Sequence, residues 1–358
     1  MTALHDPPAD LDTVLRIIAN RADTVEDSRD LSADMALLHR SGILGRLAHD
    51  EADPEARVGL FRALGRANLS VGRLAEGHVN ALELISLYGS REQKDRCLNH
   101  ARDGDIFGVW GAEGTPPVGI VARHPQGFSL SGRKNFCSGL GLVRWAVITI
   151  DTQDGPQLAL AEVGDPARHD LSRWDVSGMK ATASGVFDFA DLPAGPLGQP
   201  GDYLREPYFE GGIWRYVALH VGGLEAVADC VRTDLSRFEP GPAALHRLGR
   251  IVILARTARL MVEDAAQAVA AADTGPSIQA AVTLCLLARQ AVEDACVEAL
   301  QLADRTLGTR SFARGHPLER LRRDLGFFLR QANLDGKMER AAHWLRTSGG
   351  SIATIWDS

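Results

Sequence analysis

The sequence predicts an α+β protein in three parts: an N-terminal all-helical domain (1–104), a central antiparallel β-sandwich or barrel domain (105–200) and a C-terminal antiparallel four-helix bundle (201–358). Three observations carry this. Apolar residues recur at helical spacing up to about residue 103. From Asp105 to about Leu192 the pattern changes to short alternating or β-branched runs punctuated by Gly, Pro and Asp. After the Pro- and Gly-rich stretch Pro193 to Gly201, four long apolar-periodic segments follow.

In the first part, Leu11, Val14, Leu15 and Ile18 share one helical face. Ser32 is read as the N-cap of Ala33–Arg40, which stops at Ser41-Gly42. Val79–Tyr88 is an apolar helix ended by Gly89. Ser90 and Gln93 have the spacing of a capping box for Arg91–Ala101. The expected strands are Ile106–Gly111, Gly127–Ser131, Trp145–Ile150, Gln157–Val163 and Ser184–Phe189. The run Ser131–Gly139 is the turn of a strand–turn–strand unit. Pro193 to Gly201 reads as a linker. The bundle helices are 213–236, 243–273, 277–305 and 318–346, separated by breaks containing Gly and Pro.

Composition sets the class. The chain has 358 residues, 45% apolar and 24% charged, as in ordinary globular proteins. A formal net charge of −7 argues against nucleic acid as a partner. No apolar run approaches the roughly 20 residues that span a bilayer, and Met1–Pro8 does not resemble a secretory signal. Five scattered cysteines without CxxC spacing argue against a disulfide framework or a metal site. The expectation is a cytoplasmic protein that binds neither metal, membrane nor nucleic acid.

Several stretches resemble the acyl-CoA dehydrogenase family, in the family's order and at similar spacing over most of the chain. Leu87-Tyr88-Gly89-Ser90-Arg91-Glu92-Gln93-Lys94 is similar to its Y-G-S-x-E-Q-K turn. Gly132-Arg133-Lys134-Asn135-Phe136-Cys137-Ser138-Gly139 resembles G-x-K-x-W-I-T-N. Gly178-Met179-Lys180-Ala181-Thr182-Ala183-Ser184 with Phe187 and Phe189 resembles G-x-R-A-T-x-S…F. His316-Pro317-Leu318-Glu319-Arg320 with Arg323-Asp324 resembles P-V-E-R-x-x-R-D.

The resemblance implies non-covalent FAD, its ring between the β domain and the C-terminal helices. Trp110, Gly111 and Ala112 then stand where the family's T-E-P segment contacts flavin, and Phe136, Cys137 and Ser138 form the flavin wall. Ser138 offers its hydroxyl to flavin N5, and Gln331 takes the position of a Tyr beside the ring. It also implies a small-molecule substrate, an acyl-CoA or acyl carrier protein thioester, an electron acceptor, and a homodimer or homotetramer. Contacts to the dinucleotide are reduced: Ala112 lacks a hydroxyl, and only Arg237-Phe238 and Arg305 with Gly308-Thr309 echo the family's interface segments.

Acyl-CoA dehydrogenation needs a carboxylate to take the α proton. The resemblance puts Ala332 at the usual Glu and Trp214, before Arg215, at the alternative position. The nearest acids are Asp335, Glu206 and Glu210, and Asp335 beside Asn333 and Gly336 also fits a solvated turn. Asp335 and Arg215 are the weak catalytic candidates. His316 reads as structural, His220 as a core or interface histidine, and Arg320, Arg322 and Arg323 as a solvated face, with Arg330 able to meet an anion. The leading reading is an FAD-dependent oxidoreductase acting on the CH–CH group of an acyl thioester or related molecule; the alternatives are a flavin-dependent monooxygenase or oxidase on the same fold, and a non-catalytic subunit.

Overall fold

The computed structural model describes residues 10–48, 53–125, 127–330, 333–349 and 351–356. They divide into two compact units. One holds the N-terminal helices with Arg73–Val176 and Lys180–Arg205. The other holds the helix before Gly72, the short piece Ser177–Met179, and the chain from Glu206 onward.

In the first unit, α1 (Leu11–Ser28) buries Val14, Ile18, Ala22 and Val25, one stripe at helical spacing. In α2 (Ser32–Arg40), Ser32 is the first helical residue; the Asp30 carboxylate accepts its N–H at 2.8 Å. The short α3 (Ile43–Ala48) follows. Pro54–Ala67 forms α4, and α5 (Leu69–Tyr88) runs from the second unit into the first. The capping box of α6 (Arg91–Arg102) forms as expected: Ser90 Oγ accepts from Gln93 N at 3.2 Å, and Gln93 Oε1 accepts from Ser90 N at 2.9 Å.

All five expected strands are present, with four more. They are β1 (Ile106–Trp110), β2 (Gly119–His124), β3 (Gly127–Ser131), β4 (Arg133–Cys137), β5 (Val143–Thr152), β6 (Gly155–Glu162), β7 (His169–Asp170), β8 (Gly185–Asp188) and β9 (Leu192–Leu197). A six-stranded sheet has the order β1-β5-β6-β9-β3-β2, and β4-β8-β7 form a second sheet. Ala81, Leu84, Ile85 and Cys97 of α5 and α6 pack on Phe107, Val147, Leu158, Leu160 and Leu197 of the larger sheet.

Three expectations about the β region need correction. The larger sheet is not wholly antiparallel, because β1 and β5 pair in parallel; the long connection through β2, β3 and β4 makes this topology reachable. Ser131–Gly139 is not a turn between paired strands. Gly132, at φ +112°, passes the chain from one sheet to the other, and Arg133–Cys137 is itself a strand. A Cβ at Gly132 would lie 2.2 Å from the Pro117 carbonyl oxygen. The stretch read as a linker contains β9, inside the sheet. Leu192–Ala194 pairs with β3 and Ala194–Leu197 with β6. Each neighbour therefore faces only part of β9, which leaves room for Pro193 and Pro196 without N–H donors.

The second unit contains α4, α7 (Trp214–Leu235), α8 (Pro242–Ala271), α9 (Gly275–Leu307), α10 (Pro317–Phe328) and α11 (Leu334–Thr347). The helix expected over 318–346 is two helices. Asn333 stands at φ +58° before α11, a backbone state that interrupts a right-handed helix. His316 caps α10: its Nδ1 accepts from Leu318 N at 3.2 Å and its Nε2 meets Asp234 at 2.9 Å. Helices α4 and α7 touch backbone to backbone. A Cβ at Gly65 would sit 2.3 Å from the Leu219 carbonyl oxygen, and one at Gly222 2.1 Å from that of Arg62.

Two buried histidines are held neutral. His78 Nδ1 accepts the Phe107 N–H at 3.1 Å, and burial pushes its pKa down to about 4. His220 lies between the rings of Tyr216 and Phe328; burial, then the nearby Arg289, push it down to about 3.

Gly222→Ala should destabilise the fold by about 1–3 kcal/mol through overpacking, despite alanine's roughly 1 kcal/mol advantage in a helix; urea unfolding measures it. Between the folded values and about 6.5, the unfolded chain binds the protons that His78 and His220 refuse. Their stabilisation is therefore complete above pH 6.5 and lost as pH falls, by up to about 1.4 kcal/mol per unit for each histidine. Urea midpoints from pH 7 to pH 5 should fall, and His78→Gln should flatten that slope.

Candidate functional site

The residues singled out around Ser138 are brought together in the first unit, and the organising group is one that sequence reasoning passed over. Lys134 points inward from β4 and is 0% exposed. Its ammonium pairs with the Glu113 carboxylate and donates to Thr149 Oγ1 at 3.2 Å and the Gly111 carbonyl at 3.4 Å. Thr149 Oγ1 also donates to Gly111 O at 3.3 Å. The end of β1, the segment after it, β4 and β5 are thus tied to one buried cation. A lysine in a strand reads as exposed; the available signal was an acid, Glu113, that a lone buried lysine would require.

From this anchor the other positions follow. Gly111 and Ala112 are exposed, and the Ala112 carbonyl accepts from Asn135 N at 2.9 Å. The pairing of β4 with β8 is irregular between Lys134 and Cys137, which breaks the alternation that begins at Lys134: Phe136 is 61% exposed and Cys137 is buried, its thiol pushed up in pKa by burial. Phe136 has φ +53°, a left-handed backbone that costs a bulky residue about 1–2 kcal/mol. Its ring meets Trp174 edge-on at 6.3 Å. Trp110 is buried, and its indole N–H donates to the Ser138 carbonyl at 3.1 Å.

The Ser138 hydroxyl ends a line of three. Ser184 Oγ donates to Ser138 Oγ at 2.8 Å and stands 2.7 Å from Thr182 Oγ1. Because Ser184 spends its one proton on Ser138, Thr182 is the donor to Ser184. The order Thr182→Ser184→Ser138 leaves the Ser138 proton and one lone pair for a ligand. Side chains two apart on extended backbone are separated by about 6.6 Å. Ala183, at φ +43°, folds the backbone so that Thr182 and Ser184 meet instead. The exposed aromatic face, open backbone after β1 and half-buried hydroxyl together fit a planar heteroaromatic ring with hydrogen-bonding edge atoms.

In the second unit, two motifs noted in the sequence meet each other. Asp324 Oδ1 accepts from Met179 N at 2.6 Å, and Arg323 Nη1 donates to Ser177 O at 2.6 Å. Gly178 lies so close that a Cβ there would be 2.0 Å from the Arg323 carbonyl oxygen. These residues hold backbone. Glu206 accepts from the N–H groups of Glu210 and Gly211, and burial raises its pKa. Glu210 pairs with Arg340, Arg215 is buried, and Asp335 is exposed in the first turn of α11. Arg320 and Arg322 pair with Asp324 and Asp304, so they are not merely solvated. Gln331 and Ala332 lie outside the described residues.

The family model for the acyl-CoA dehydrogenase C-terminal domain matches residues 224–329. FMN-bound TdsC from Paenibacillus sp. A11-2 superposes with a TM-score of 0.80 over 96% of this chain and 100% of its own, at 18% identity. This is a divergent member of the acyl-CoA dehydrogenase fold. Methanesulfinate monooxygenase MsuC from Pseudomonas fluorescens shares the same acyl-CoA dehydrogenase fold, with a TM-score of 0.77 over 97% of this chain and 99% of its own, at 19% identity. In sequence, the chain is 24% identical over 295 residues to dibenzothiophene monooxygenase of Rhodococcus erythropolis, covering 70% of each. No described helix is long and apolar enough to cross a membrane.

Lys134→Met should lower stability by about 1–3 kcal/mol in urea unfolding, because it leaves Glu113 without its cation and removes the donor to Thr149 Oγ1. The partial exposure of Glu113 keeps the loss at the lower end of what breaking a buried pair costs.

Proposed function

We propose that this protein is a flavin-dependent monooxygenase on the acyl-CoA dehydrogenase fold, using dioxygen and reduced flavin to oxygenate a small molecule. The observation that carries this is Ala332, with Trp214 at the alternative position: the sequence has no carboxylate at either place from which the fold's dehydrogenases abstract a proton. The nearby acids do not supply one. Glu206 is held by two backbone N–H groups, Glu210 by Arg340, and Asp335 is exposed. A monooxygenase needs no such base, and similarity to dibenzothiophene and methanesulfinate monooxygenases supports the same reading.

When bound, reduced flavin supplies the two electrons that divide dioxygen between substrate and water. The chain's own residues bind and orient. Phe136 gives the ring an aromatic face, and Ser138 either donates to or accepts from N5. Ser184 and Thr182, donating in line, strengthen that hydroxyl as a donor. The FAD expectation broadens to flavin. FMN suffices, since a mononucleotide needs none of the reduced interface contacts, and FMN-bound TdsC supports it. We also assign the apolar stripe Leu245, Val252, Ile253 and Leu260, about half exposed on α8, to self-association.

With a reductase supplying reduced FMN, the wild-type protein should convert a member of a panel of sulfur heterocycles, sulfinates and amines to an oxygenated product. Incorporation of 18O from dioxygen measures it. Ser138→Ala should slow product formation about tenfold, and Ser184→Ala by less, as expected from losing about one hydrogen bond. Anaerobic bleaching of bound flavin by an acyl-CoA, with no oxygenated product, would return the dehydrogenase reading.

A further inference from the structure

Phe136 has little of its own to hold it in place. Its backbone is left-handed, at φ +53°, a costly state for a bulky residue, and its ring is 61% exposed. The pairing of β4 with β8 is irregular from Lys134 to Cys137, so a regular ladder does not fix this position either. Among the described residues, the ring that meets it is that of Trp174, with centroids 6.3 Å apart and planes at 85°. A perpendicular contact leaves at least one face of the Phe136 ring open. It is also directional, so it sets the orientation of the ring as well as its place.

Trp174 can act as a stop because it is itself fixed. It is 3% exposed, its indole N–H donates to the Lys180 carbonyl at 3.0 Å, and its backbone N–H donates to the Leu171 carbonyl at 2.9 Å. The Lys180 carbonyl also accepts from Ala183 N at 3.2 Å, which closes the turn that carries Thr182 and Ser184. That turn holds the chain just after β4: Thr182 O accepts from Gly139 N at 2.7 Å, and Ala183 O from Leu140 N at 3.3 Å. The Ser184 hydroxyl in turn donates to Ser138. One turn, 180–184, therefore supports both features of the candidate site, Ser138 through its hydroxyls and Phe136 through Trp174. The spacing between aromatic face and hydroxyl is set from a single place.

We propose that Trp174 is a positioning residue for the flavin: it holds the Phe136 ring in the orientation that offers an open face to the isoalloxazine. This rests on the flavin reading above; the hold on Phe136 stands on the geometry alone. Without Trp174, the strained backbone at Phe136 has no ring contact to offset its cost, and the side chain turns freely in solvent. Flavin must then order that ring on binding, and the ordering is subtracted from its affinity.

Two measurements test this. The first needs no flavin. With 4-fluorophenylalanine placed at position 136, fluorine NMR of the otherwise wild-type protein should give a single line of stable position. Trp174→Leu should give several lines, or one that drifts with temperature towards the free amino acid, as the ring samples several rotamers. The second is FMN titration, read by flavin fluorescence, of the wild type, Phe136→Leu, Trp174→Leu and the double variant. Trp174→Leu should weaken FMN binding about fivefold, the worth of one edge-on aromatic pair. In the Phe136→Leu background it should add nothing, because the residue it acts through is gone. Should Trp174→Leu fail to fold, Trp174→Phe, which keeps a ring but loses the tether to Lys180, should move both readouts in the same direction by less. An unchanged fluorine line, FMN affinity unaltered by either Trp174 variant, or equal weakening with and without Phe136 overturns the inference. Wild-type protein that takes up no FMN overturns the flavin reading, and the fluorine line then decides by itself whether Trp174 positions Phe136.

Discussion

The buried ammonium of Lys134 is the interaction on which the first unit's candidate site depends. A fully desolvated lysine persists only when its donors are met, and here a carboxylate, a hydroxyl and a backbone carbonyl meet them. Those three groups come from the segment after β1 and from β5. Fixing Lys134 fixes the start of β4. Beyond it, the irregularity between Lys134 and Cys137, with Phe136 at φ +53°, presents Phe136 and withdraws Cys137. Ser138, just beyond, is held by its carbonyl to Trp110 and by its hydroxyl to Ser184.

Much of this architecture was legible in the sequence, and the misses have physical causes. Helices with strong apolar stripes or complete caps, such as α1 and α6, were placed closely because the signals are local. The strands that were missed are short, exposed or proline-bearing. Solvent-facing β2 buries little, so it has no alternation to read. In β9, prolines that usually end strands sit where each neighbour pairs with only part of the strand. The break between α10 and α11 depends on one left-handed Asn, a choice that apolar period does not reveal.

The candidate site divides the same way. Ser138 was found through resemblance to a motif, but its partner Ser184 lies 46 residues away and shares no period with it. Arg323 and Asp324, prominent in the sequence as a family signature, hold the backbone at Ser177 and Met179. Resemblance therefore transferred geometry: the fold and its supporting contacts carried over.

Phe136 shows how far local stability and a proposed task can diverge at one residue. Its left-handed backbone would suit glycine, and its ring, mostly in solvent, recovers little by burial. A sequence optimised for thermal robustness alone would therefore replace it, and the replacement would look like an improvement in any melting experiment. The exposed aromatic face proposed to meet the flavin would vanish with it. Engineering this scaffold for durability thus calls for exempting position 136 and accepting the strain it carries.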